Sequence, residues 1–191
     1  MYHNIIDNNN KISNISDKEI KLKKNDVIVS RTDIEGNILY YNNSFLKVTG
    51  YSHKELLNMP HSILRHPDMP KAIFFIIWKT ILSGRSTYAV IKNLTKEGNF
   101  FWVLSKITVQ KDNQNNIISF ISRGEQAPQY LVDALLPLYK ELSKREKYSN
   151  IEESIKYLTT FLTQNNYATY DDYIYNLLKR KKRGFFSNLI F

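Results

Sequence analysis

An α+β fold is predicted for this 191-residue sequence, with a five-stranded antiparallel sheet, helices gathered on one face, and a small helical region after it. Three observations carry that expectation. Two β-branched runs near the N-terminus and three more after residue 87 bracket a block of short helices. Each run is bounded by a turn signal rich in Asp, Asn or Gly. After residue 128 the alternating pattern gives way to leucine stripes at helical spacing.

Taken in order, the polar extension at 1–25 is rich in asparagine (Asn8, Asn9, Asn10, Asn14) and predicts a frayed start. Asp26 to Arg31 and Asn37 to Asn42 read as a hairpin, with Asp33-Ile-Glu-Gly36 as its turn and Gly36 supplying the positive φ. A short helix follows from Asn43-Ser44 and stops at Gly50, and Ser52 with Glu55 forms a capping box for another. From Pro70, the apolar positions Ala72, Ile73, Phe74, Ile76, Ile77, Ile81 and Leu82 predict a helix ended by Ser83-Gly84. Tyr88 to Leu94, Phe100 to Val109 and Ile117 to Arg123 are the remaining strands. Sheet and helices in this order can enclose a pocket between them.

Beyond Pro128, Leu131, Leu135, Leu138 and Leu142 mark one helix, which Pro137 must kink or start. Ile151, Ile155, Leu158 and Leu162 mark a second, and a Thr169…Asp172 capping box opens a third. The organisation expected is therefore an extension at 1–25, a sheet domain at 26–124, a helical accessory region at 128–178 and a basic-aromatic tail at 179–191.

Composition narrows the chemistry. The chain has no cysteine, which excludes disulfides, thiolate zinc sites, thiol nucleophiles and cysteinyl-flavin photochemistry. Its longest purely apolar run, Ala72 to Trp78, is too short to span a bilayer, and its first residues lack a signal-peptide pattern. A cytoplasmic protein is the expectation. The net charge of +9 includes five cations in one run, Lys179 to Arg183, so basicity is mostly a property of the tail. With no recognition fold around that run, nucleic acid is not an expected partner. Peripheral contact with the inner face of a membrane is the functional reading of the cations and the phenylalanines that follow them. No GxSxG, P-loop or kinase motif occurs, and the four histidines form no helical metal pair, so enzyme status is not expected.

The segment Arg65-His66-Pro67-Asp68-Met69-Pro70 sets a cation, an imidazole and a carboxylate between prolines in front of an apolar helix. Arg65 suits phosphate, and the prolines hold its neighbours with little ordering entropy left to lose. Phe74 and Trp78, four apart, share one helical face and suit a pocket wall. Asp68 precedes a helix N-terminus, where capping is its alternative role.

The series Asp33-x-x-Gly36-x-Ile38-x-Tyr40-x-Asn42…Phe45…Thr49-Gly50-Tyr51 resembles a PAS domain. Pro60-His61, the hexapeptide, Phe74, Trp78, Ile91-Lys92-Asn93, Lys96-x-Gly98 and Trp102-Val103 are similar to the FAD-binding PAS domains of bacterial aerotaxis and energy-taxis receptors. That resemblance implies FAD as cofactor, held by Asn42, Arg65, His66, Asp68, Phe74, Trp78, Thr87 and Asn93. It implies a redox or energy-state sensor that acts on a membrane-bound or cytoplasmic chemotaxis-type signalling protein, with a homodimer through the PAS domain as a further association. The output surface expected is the sheet face together with the helices after Pro128. The chain departs from the family pattern at Ser62, where Asn is common, at Thr87, where Trp is usual, and at Leu94-Thr95, where a basic pair often stands. Those departures favour the alternative, a cofactor-free PAS module for docking or dimerisation.

Overall fold

The computed structural model describes residues 14–23 and 26–187, with side chains as far as Lys179. Its five strands are β1 (Ile28–Thr32), β2 (Ile38–Tyr41), β3 (Thr87–Leu94), β4 (Phe100–Lys111) and β5 (Ile117–Gln126). They form one antiparallel sheet in the order β2-β1-β5-β4-β3, so the first hairpin closes against the last strand. The helices are α1 (Asn43–Thr49), α2 (His53–Leu56), a 3-10 turn (His61–Leu64), α3 (Lys71–Leu82), α4 (Gln129–Tyr148), α5 (Ile151–Gln164) and α6 (Tyr170–Ser187).

The expected local signals are visible in the geometry. The Asp33 carboxylate accepts from the backbone N–H of Glu35 and Asn37, which bends the first hairpin. Gly36 has φ of 92°, and a Cβ there would meet the Trp78 ring at 3.0 Å, so both conformation and space require glycine. Ser52 and Glu55 form the capping box, and Thr169 Oγ1 accepts from Asp172 N at 3.1 Å at the start of α6. α4 runs unbroken through Pro137, which is exposed. The carbonyl of exposed Asp133, four residues earlier, is therefore the one deprived of its usual helical donor.

One feature differs from expectation and one extends it. Part of the extension is bound to the sheet: Ser16 N donates to Gly98 O, Ile20 N to Phe100 O, and Phe100 N to Lys18 O, while Leu22 is buried. The Asn8 to Asn10 run lies outside the described residues. The helices of the accessory region, whose docking side the leucine stripes left open, pack against the domain, with α5 on α3 and α6 on β3. Trp102 stacks on Tyr139 of α4 with ring centroids 6.5 Å apart, so α4 covers the β3–β4 end of the outer sheet face. α6 carries the start of the basic run; Lys179 is exposed over Tyr175, and the other tail side chains lie outside the described residues.

Candidate functional site

A cavity of about 130 Å³ lies between the inner face of the sheet and α3. It sits where two buried apolar clusters meet, one containing Ile77, Ile81 and Phe120, the other Ile28, Phe45 and Val103. Phe74, Ile77, Trp78 and Ile81 occupy i, i+3, i+4 and i+7 on α3 and form its helical wall. Trp78 meets Phe120 edge to face, with centroids 5.5 Å apart.

The opposite wall is the pleated sheet, and its inward positions mix apolar and small polar residues. Ser105 and Ser122 hydrogen-bond to each other at 2.6 Å. Ser30 Oγ lies 2.9 Å from His61 Nε2. Burial, with the positive charge of Arg65 as a second cause, pushes the His61 pKa down to about 4, so the imidazole is neutral near pH 7. Asn93 is 8% exposed and lines the cavity, and its amide has no hydrogen-bond partner among the described residues. Arg65 is 5% exposed, and its guanidinium stacks 3.8 Å above the Phe74 ring. A backbone bridge between Arg65 and Asn93 holds the two side by side.

Of the eight residues expected at a cofactor site, Arg65, Phe74, Trp78 and Asn93 line this cavity. The other four stand elsewhere. Asn42 is the N-cap of α1: its Oδ1 accepts from Val29 N and Phe45 N, and its Nδ2 donates to Val27 O. His66 packs edge-on to Phe100, and its Nδ1 accepts from Asp68 N. Burial and the Lys92 charge lower its pKa to about 4 against the pull of Asp68, so His66 and Asp68 are not an ion pair at neutral pH. Partial burial opposes ionisation of Asp68, but the hydrogen bond from Lys92 at 2.6 Å prevails and holds its carboxyl below the usual range.

Asp68 also does not cap α3. That place is taken by Glu146 of α4, whose two carboxylate oxygens accept from Lys71 N and Ala72 N at 2.8 Å each. Thr87 donates to Asp171 Oδ1 at 2.6 Å and so anchors α6 to the edge strand. Among the cavity residues not expected at the site are Ser30, Thr32, Ser105, Ile107 and Ser122 on the strands. Their signal was small polar residues at inward strand positions, as in Val103-x-Ser105-x-Ile107.

The family described as PAS fold matches residues 38–123. The chain contains a PAS domain. The sheet of that PAS domain extends ahead of the matched span by β1, which pairs with both β2 and β5. Among curated relatives, the chain is similar to the aerotaxis receptor of Escherichia coli K12, at 30% identity over 141 residues, covering 74% of this chain and 28% of that protein. It is also similar to a nitrogen fixation regulatory protein of Klebsiella oxytoca, at 29% identity over 50% of this chain and 19% of that protein. Among solved structures, the dark-state LOV domain of Aureochrome1 superposes with a TM-score of 0.52 at 24% identity, over 58% of this chain and 82% of the other. Thus the chain spans less than a third of either curated relative, and the structural likeness supports the PAS fold.

Proposed function

We propose that this chain is a non-enzymatic cytoplasmic sensor whose PAS cavity binds FAD and reports redox or energy state, in trans, to a separate chemotaxis-type transducer. The observation that carries the reading is Asn93, a largely buried residue whose amide has no protein partner among the described residues and opens on a cavity whose opposite wall is Trp78. An amide that opens on the cavity without a protein partner is free to pair with a ligand that carries complementary hydrogen-bonding groups.

The residues present fit a flavin. An isoalloxazine ring is flat and apolar on its faces and polar along one edge, which matches Trp78, Phe74 and Ile77 on one side and Asn93 with the serine hydroxyls on the other. Arg65 is the cation for the pyrophosphate. When bound, FAD would supply reversible electron transfer. Neutral His61 and its partner Ser30 would hold hydrogen bonds to the ring without adding a second positive charge beside Arg65. The likeness to an aerotaxis receptor over most of the chain supports the sensory role and the transducer as partner. No helix among the described residues is long and apolar enough to cross a membrane, and peripheral attachment through 179–191 would bring the sensor near a membrane-bound partner.

The test is the absorption spectrum of freshly purified protein before and after dithionite, with the released nucleotide identified after denaturation. A flavin spectrum that bleaches on reduction, and release of FAD in place of FMN, is expected. Arg65→Ala should weaken FAD by about ten- to a hundredfold, the equivalent of one charge-assisted hydrogen bond. A colourless protein that also takes up no added FAD would replace this reading with the cofactor-free docking module.

A further inference from the structure

We propose that Glu146 is a positioning residue that couples the cavity to the C-terminal helices, so that filling the cavity and docking the end of α4 favour one another. The proposal rests on the ligand-binding reading of the cavity and adds how its occupancy is passed on.

α3 begins after Pro70, which offers no side-chain cap, so its first N–H groups need acceptors from elsewhere. Glu146 supplies both oxygens from 74 and 75 residues further along the chain. A carboxylate at that position also meets the positive end of the helix dipole. One turn earlier on α4, Ser143 donates to the Asp68 carbonyl at 3.1 Å. The Asp68 carboxylate in turn is held by Lys92, the neighbour of Asn93 on β3. The last turns of α4 thus grip both the hexapeptide and the first turn of the cavity helix.

Phe74 and Trp78 lie one and two turns beyond Lys71, so the tilt of α3 sets the distance between the aromatic wall and the sheet. A ligand held between Trp78 and Asn93 stabilises the tilt that Glu146 fixes. Linkage makes this reciprocal: whatever Glu146 contributes to ligand affinity, the ligand returns to the docking of α4. α5 also packs on α3 through apolar contact, but the other hydrogen-bonded anchors of the helical region act on β3. Tyr139 donates to Val90 O at 2.9 Å, and Asp171 accepts from Thr87 Oγ1 and Tyr88 N. Removing the Glu146 carboxylate therefore loosens the first turn of the cavity helix while the accessory helices keep their hold on the sheet.

The experiment uses full-length Glu146→Ala and Glu146→Gln, the latter keeping volume and one acceptor oxygen. FAD affinity by equilibrium dialysis should fall about tenfold in E146A and less in E146Q. Hydrogen exchange in the first turn of α3 and in Ser143–Tyr148 should slow on adding FAD to the wild type and not in E146A. A ligand-free arm uses Trp102→Phe to leave Trp78 as the single tryptophan, whose emission should move to the red when E146A is added. Faster exchange at Lys71 and Ala72 with FAD affinity and Trp78 emission both unchanged would overturn the proposal, leaving Glu146 as a cap and nothing more. If the wild type takes up no FAD, the flavin reading fails and the Trp78 arm alone decides the positioning role. Should E146A not fold, E146Q and Ser143→Ala carry the same measurements.

Discussion

On the outer face of the sheet, Val90, Trp102 and Leu104 belong to one apolar cluster with Leu131, Leu135 and Tyr139 of α4. On the inner face of the same strands, Asn93, Ser105 and Ser122 border open volume. The Tyr139 hydroxyl at the outer interface is satisfied within the protein, since it donates to Val90 O and also meets the hydroxyl of Tyr170 at 2.5 Å. Inside, the Asn93 amide and the Thr32 hydroxyl have no hydrogen-bond partner among the described residues and open on the cavity. Leucine and valine at those inward positions would have closed the core more stably. The difference separates two faces: the outer one holds the helices, and the inner one keeps an open cavity with polar groups in its wall.

Tryptophan gives the sharpest contrast. Trp102→Ala, at the closed interface, should destabilise the protein by about 3–5 kcal/mol in urea unfolding. Trp78→Ala, on a wall that already borders open volume, should cost less, about 1.5–3 kcal/mol, yet abolish flavin uptake. Equal losses of stability with unchanged uptake would erase the distinction between the faces.

Acid should act through two buried imidazoles, His61 in the cavity lining and His66 beside Phe100. His61 and His66 have folded pKa values lowered from 6.5 to about 4 by burial, so below pH 6.5 the unfolded chain binds protons that the fold refuses. Their contribution is complete above pH 6.5 and falls as the pH drops towards 4. The slope is about 1.4 kcal/mol per pH unit for each histidine, readable as a decline in the urea midpoint. His66→Gln should roughly halve that slope, and an unchanged slope would place the acid sensitivity elsewhere.

Asn93→Leu keeps the volume and removes the amide. It should leave apo stability unchanged or slightly raised, and weaken FAD by an amount equivalent to about 1–3 kcal/mol in equilibrium dialysis. Tyr139→Phe makes the opposite exchange on the outer face. It should lower stability by about 1 kcal/mol in urea while leaving FAD affinity unaltered, because the Val90 carbonyl loses its donor far from the cavity wall.

The sequence made the inner side only half legible, for physical reasons. Phe74 and Trp78 could be read because helical spacing puts them on one face, and Arg65 because prolines fix its segment. Ser105 and Ser122 meet diagonally across the β4–β5 hairpin, whose register shift between Gln110 and Lys111 no local signal marks. The Glu146 cap joins residues 74 and 75 positions apart, and the Asp171 anchor at Thr87 spans 84. Asn42 carried a family signature whose local content is a helix cap, which explains why it stands apart from the cavity. Restoring Trp at Thr87 would sacrifice the Asp171 contact, so that position serves the helical region in this chain.

The central claim, that the inner face is the ligand face, is tested most directly by NMR on methyl-labelled protein with FAD added. Intermolecular NOEs should run from the isoalloxazine protons to the methyl groups of Ile77, Ile91 and Ile107, which line the cavity. NOEs confined to Val90, Leu131 or Leu135 of the outer interface, or none at saturating FAD, would contradict it.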